Sequence, residues 1–154
     1  MSRLLDAIQA IVPEMTTNDW SFYLGTLPEQ NIKSDDIKPP VVMLRAPINS
    51  TSVLQPNSVF LTSYQLIFSF LELRDPVYTA IENSAVIDRC NAGKIELFTR
   101  LQQYKTSQGV RVFQEITNIS TLELYREYDT SWAGVLVSAT VLVQENLTTC
   151  LSNS

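Results

Sequence analysis

From Trp132 to Val143 the chain alternates without a break. Ala133, Val135, Val137, Ala139, Val141 and Val143 fall on one side; Trp132, Gly134, Leu136, Ser138, Thr140 and Leu142 fall on the other. A period of two kept this long, rich in β-branched residues and uncharged until Glu145, predicts a long strand. Its small, branched side suits helices lying on it, and its mixed side suits partial cover. It opens with a turn at Asp129-Thr130-Ser131 and is expected to be a central strand of an antiparallel sheet. A second long strand is expected from Ser58 to Leu73. Phe60, Tyr64, Leu66, Phe68 and Phe70 share one side, and Val59, Leu61, Ile67, Leu71 and Leu73 the other. Both sides are partly apolar, which suits a central strand or one whose second face meets another subunit.

Shorter strands are expected at Trp20 to Leu24, Val41 to Ala46, Val110 to Ile116 and Leu122 to Tyr128, the last two separated by a turn at Thr117-Asn118. The polar segments 26–39 and 47–57 hold Pro28, Pro39 and Pro47 and read as loops. Helical spacing appears twice. Behind Ser2 as N-cap come Leu4, Leu5, Ile8, Ile11 and Val12, stopped by Pro13. Farther on, Val86, Cys90, Gly93, Leu97, Leu101 and Tyr104 recur at spacings of three and four, predicting a helix of roughly six turns. Arg74-Asp75-Pro76 precedes it, Thr79 or Asn83 would cap it, and Gly109 stands where a left-handed C-cap is expected.

Helix, three strands, long helix and three strands do not alternate one for one, which argues against a doubly wound parallel sheet. The expectation is an α+β two-layer sandwich: a mainly antiparallel β-sheet of about six strands, a short N-terminal helix, and one long helix over one face. A single domain over 1–154 is expected, with a polar tail at 145–154.

Composition narrows the chemistry. With 45% hydrophobic and 18% charged residues, the 154-residue chain holds enough apolar material for a core. Sixteen acidic residues against eleven basic ones give a net charge of −5, which disfavours gripping nucleic-acid phosphates. The absence of histidine removes the usual general base and the commonest metal ligand. Cys90 in the helix and Cys150 in the tail lie far apart, so a reduced compartment is expected. No apolar run is long enough to span a membrane, and Met1 to Pro13 lacks a signal-cleavage pattern.

The candidate motifs read better as structure. Asn91-Ala92-Gly93-Lys94 lacks the glycine-rich loop of a phosphate cradle and lies inside a helix, so Gly93 is expected to be a close-packing point. Asp35 and Asp36, with Glu29 nearby, lack EF-hand spacing and read as a solvated loop. Glu123, Glu127 and Asp129 are expected on one face near a strand end, where a carboxylate-based hydrolase would need a cleft. Ser131 has no nucleophile elbow. Asn146-Leu147-Thr148 matches a glycosylation sequon but follows no signal peptide. Cys90 reads as core. No catalytic residue, cofactor site or metal site is assigned, and the chain is not expected to be an enzyme.

What remains is apolar surface. Two long strands are apolar on both sides, and only two helices are expected to cover them. The aromatic residues Trp20, Phe22, Tyr23, Tyr125, Tyr128 and Trp132 exceed what a one-layer core needs. Trp20, Phe22, Tyr125, Tyr128 and Trp132 are therefore expected at an interface, and a homo-oligomer, as a closed ring, is the physical inference.

Here the pattern resembles the tail-terminator and neck-ring (head-tail connector) proteins of tailed bacteriophages. That family combines an N-terminal helix, a sheet, a long second helix and further strands. The likeness rests on Asp129 followed by Trp132 to Gly134 and the strand Val135 to Val143. It also rests on Tyr64 to Leu73 running into Asp75-Pro76 before the long helix. The resemblance covers most of the chain and is topological; the segments 26–39 and 47–57 depart from the compact members.

It implies a virion protein forming a six- or twelve-fold ring in the neck, joining portal or connector proteins to the tail, with DNA passing through without specific binding. An acidic lumen would repel phosphates, and Asp35, Asp36, Glu123 and Glu127 are the expected lumen-facing acids. Two other classes stay open: a protein-binding adaptor domain using the same sheet, and a carboxylate-based enzyme.

Overall fold

The computed structural model describes residues 2–26, 40–73, 80–127 and 132–145. In chain order it has α1 (Ser2–Ile11), a 3-10 turn (Val12–Glu14), β1 (Ser21–Thr26), β2 (Val41–Ala46), β3 (Asn49–Leu54), β4 (Phe60–Leu73), α2 (Ala80–Gln103), β5 (Phe113–Glu127) and β6 (Trp132–Glu145). Among the described residues the six strands form one mixed sheet in the order β1-β2-β4-β6-β5, with β3 also paired to β4. Only β1 and β2 run parallel; β2, β3, β6 and β5 join by antiparallel ladders. The fold is α+β, as the pattern of elements implied.

Both helices lie on one face of the sheet. The alternation of β6 resolves as read: Ala133, Val135, Val137, Ala139, Val141 and Val143 are all buried in the main core. They share that core with Leu4, Ala7, Ile8 and Ile11 of α1 and with Val86, Cys90, Leu97 and Leu101 of α2. Aromatic rings of β4 interlock with those above, Phe68 edge-on to Phe98 at 5.8 Å and Phe70 edge-on to Trp20 at 5.9 Å. The other face carries a smaller buried cluster of Val41, Met43, Leu71 and Trp132, with Tyr23 and Leu124 packed against it. Its remaining positions on β4 and β6 mix the polar Ser63, Gln65, Ser69, Ser138, Thr140 and Gln144 with the half-buried Leu61, Ile67, Leu136 and Leu142. There Thr140 Oγ1 donates to Gln65 Oε1 at 3.1 Å.

One carboxylate fastens the N-terminal segment to α2. Glu96 accepts from the Thr16 and Thr17 amides, from both threonine hydroxyls, and from Arg100 Nε, at 2.8 to 3.1 Å. Thr17 Oγ1 in turn accepts from Trp20 Nε1 at 2.9 Å, so the same knot orients the indole that sits on α2.

Three local expectations are corrected. Residues 47–57 are not a loop: Asn49–Leu54 pairs in unbroken register with Leu54↔Phe60 through Asn49↔Gln65. β2 and β3 therefore lie end to end along the same side of β4, divided by a cis Ala46-Pro47 bond. The expected strands at 110–116 and 122–128 are one strand. Asn118, at φ 53°, makes a bulge within β5 rather than a hairpin turn, and the register to β6 shifts between Thr117 and Ser120. Gly109, at φ 79°, does not cap α2. It closes a separate turn beyond it, donating to the Thr106 carbonyl at 2.9 Å. Residues 27–39 and 146–154, expected as loop and tail, lie outside the described residues, as does Thr79.

Candidate assembly interface

Large apolar side chains left in water gather at the sides of the sheet. On one side, Val53 and Leu54 of β3 are 62% and 60% exposed, and Phe60 of β4, opposite Leu54, is exposed too. On the other side lie Ile119 and Leu122 of β5, with Val110 just before it and Ile95, 61% exposed, on α2. Scattered surface leucines need no account. Two such sets on opposite sides of one sheet do; on the helix-bearing face they reduce to Leu54 with Phe60 and Ile95 with Ile119, because Val53 and Leu122 register on the other face.

The first cluster is built by a hairpin. β3 and β4 are joined by a turn in which Ser58 N donates to the Gln55 carbonyl at 3.0 Å and Gln55 N to the Val59 carbonyl at 2.8 Å. Ser58 takes φ 64° to close it. All six residues of β3 are exposed, and among the described residues β3 pairs with β4 alone. Natural edge strands are guarded by lysine, proline, bulges or inward charges. β3 holds no lysine, no proline and no bulge. Indeed the sequence carries no charged residue between Arg45 and Glu72. β5, at the other side, is interrupted by three register shifts.

Of the second set, Ile95 and Ile119 line a groove of about 370 Å³ between α2 and β5. Ile95, Phe98 and Thr99 line one wall, and Ile116 and Ile119 the other. Lys94, also at this groove, donates to Thr121 Oγ1 at 3.0 Å. The bulge at Asn118 shapes it, because the register shift swings Ile119 out of the ladder. Phe60 is registered opposite Glu145 and Ile116 opposite Val141. Both partners are odd-numbered positions of β6, the helix-bearing side. Hairpin tip and groove therefore share one face at opposite sides of the sheet.

Two of the five expected interface residues, Trp20 (6% exposed) and Trp132 (3% exposed), are inside the fold. Trp20 is held under α2, and Trp132 is in the far-face cluster, so neither presents a ring to a partner. Phe22 is half-buried against the main core. Tyr125 is placed by the backbone of β5, and Tyr128 lies outside the described residues. Of the expected lumen acids, Asp35 and Asp36 lie outside the described residues, and Glu123 is exposed on β5. Glu123 and Glu127 were expected on one face; the register separates them. Glu123 pairs with Val135 and Glu127 with Trp132, residues on opposite faces of β6, because the ladder shifts between Leu124 and Glu127. Sequence reasoning missed Val53, Leu54, Phe60, Ile95 and Ile119. The available signal was Val53-Leu54 placed before Pro56-Asn57, a strand end running into a turn.

Among the described residues, Glu96 is a perturbed carboxylate. Burial pushes it up, but the Thr16 and Thr17 amides, the Thr17 hydroxyl and Arg100 together bring it down to about 2. A perturbed acid can mark a reactive site; here every donor is a protein group holding the fold. Among the described residues no three histidine, cysteine or acidic side chains gather as a metal site. No helix described is long and apolar enough to cross a membrane. No protein-family model and no curated protein sequence matches the chain.

Proposed function

We propose that this chain is a structural ring subunit of a tailed-phage virion, in the tail-terminator or neck region. It would join portal or connector proteins to the tail and surround passing DNA. The observation that carries the reading is the pair of unlike apolar clusters on opposite sides of one sheet. Two different complementary surfaces on one subunit favour head-to-tail contacts, which close into rings when the rotation permits. An isologous dimer would use one self-complementary patch instead. The net charge of −5 supports the passage role, since an acidic ring repels phosphate. The role is architectural, not enzymatic.

The unguarded β3 edge also favours a second reading, an adaptor that accepts a foreign strand by β-augmentation. Light scattering coupled to size exclusion, with negative-stain images, separates the two. Closed rings of the purified protein are the expected result. A protein that stays monomeric as concentration rises would overturn the ring and leave the adaptor.

A further inference from the structure

We infer that, within such a ring, the β3–β4 hairpin of one copy seats Leu54 and Phe60 in the α2–β5 groove of the next copy. This rests on the ring reading and names its joint. Three observations commit the groove to a second copy rather than another occupant. The hairpin tip and the groove lie on the same face of the sheet at opposite sides, so one lateral step brings them together. Two copies each carrying −5 repel, and the hairpin itself, between Arg45 and Glu72, adds no charge; Glu145, opposite Phe60, is held by the Thr62 and Tyr64 hydroxyls. The groove can receive the hairpin: Ile95, Phe98, Ile116 and Ile119 offer apolar contact, Thr99 and Gln102 are uncharged, and Lys94 is engaged by Thr121. Its volume of about 370 Å³ lies at the low end of the ~300–1,000 Å³ of pockets that enclose ligands, a size suited to a few side chains.

The geometry adds a constraint. Phe60 is level with Glu145 and Ile116 with Val141, four residues apart along β6. At about 3.3 Å per residue the tip stands roughly 13 Å from the groove along the strands. Neighbours therefore join with a stagger, and closure requires strands inclined to the ring axis, as in a barrel.

The test is complementation between two broken surfaces. Leu54→Glu disables the hairpin tip and keeps the groove; Ile95→Glu disables the groove and keeps the tip. Both positions are exposed, so circular dichroism and unfolding midpoint should match the wild type. Each variant alone should be monomeric, with assembly weakened about a hundredfold or more, as for a central hot spot. Mixed in equal amounts they should form a heterodimer and nothing larger. Wild-type rings with a mixture that stays monomeric would overturn the docking and leave the ring. So would Ile95→Glu rings, or dimers of Ile95→Glu alone. A monomeric wild type would overturn both.

A second readout needs no disruptive charge. In a Cys150→Ser background, Leu54→Cys with Ile95→Cys in one chain should give a ladder of disulfide-linked oligomers on oxidation, and neither single cysteine should. A dimer from Leu54→Cys alone would mean that β3 edges pair with each other, and the proposal would fail.

Discussion

The indole of Trp20 lies across Gly93 in the middle of α2, so close that a β-carbon there would stand 2.5 Å from Cζ2 and 2.9 Å from Cε2. The ring has little room to retreat. Phe70 meets it edge-on at 5.9 Å, and its Nε1 donates to Thr17 Oγ1 at 2.9 Å.

Gly93→Ala sets two effects against each other. Alanine in a helix interior is worth about 1 kcal/mol over glycine. Forcing a methyl into a packed contact costs about 1–3 kcal/mol. With the indole pinned on two sides the clash should win, giving a net loss of up to about 2 kcal/mol in urea unfolding. Pairing it with Trp20→Phe should lose less than the two single variants summed, because they share the contact. A raised midpoint for Gly93→Ala would show that the indole moves freely.

Glu96 gives the fold a pH limit. Its carboxyl sits at about 2 when folded against an ordinary 4.5, the lowering by its donors exceeding the rise from burial. A folded-state value below the unfolded one means stability that is full above pH 4.5. That stability is lost as pH falls toward 2. Glu96→Gln keeps one carbonyl acceptor and loses the charge, so it should cost about 1.5–3 kcal/mol at neutral pH, the range for hydrogen bonds to charged groups. The gap between variant and wild type should shrink steadily from pH 4.5 downward in chemical denaturation. A gap that stays constant to pH 2.5 would mean that the carboxylate's charge is not what holds Thr16 and Thr17.

Cys90 is buried, and burial, with Glu72 adding and Arg89 opposing, pushes its thiol up to about 12. Nucleophilic thiolate is then scarce at pH 8. In a Cys150→Ser variant a disulfide-exchange reagent should find no reactive thiol in the native protein and one in urea. Prompt native labelling would place Cys90 in an open, functional environment instead of in the core.

These predictions concern residues whose roles were unevenly legible in the sequence. The long alternation of β6, the two-sided β4 and both helices were readable because burial on a face enforces a period. Gly93 was readable as a packing point because it falls on the apolar stripe of α2. β3 was hidden: an edge strand with every residue exposed has no face to enforce a pattern, so Asn49-Ser-Thr-Ser looked like loop. β5 was split because asparagine with positive φ serves bulges and turns alike, and only the ladder to β6 distinguishes them. The tryptophans were misplaced for a related reason. Aromatic content says how much surface must be covered, not whether the chain's own helices supply the cover. Trp20 finds α2, while the exposed residues turn out to be the aliphatic Val53, Leu54, Ile95 and Ile119 with Phe60.

Gly134 carries the last prediction. It sits in β6 opposite Leu71 of β4, and a β-carbon built on it would overlap the backbone carbonyl oxygen of Phe70, with Cys90 Sγ at 3.1 Å. This differs from Gly93, where a side chain is in the way. A carbonyl in the β4–β6 ladder cannot yield without breaking pairing between the two central strands, the longest register in the sheet. Gly134→Ala should therefore cost about 4 kcal/mol or more, the range of backbone-incompatible and core-disrupting changes, and leave little soluble folded protein. Ala133→Gly, one residue away, serves as the control: it removes a small buried side chain without a clash and should cost only about 1 kcal/mol. Thermal unfolding of the two variants side by side checks the argument. Similar midpoints would mean that β4 and β6 lie farther apart at Gly134 than the Phe70 carbonyl implies.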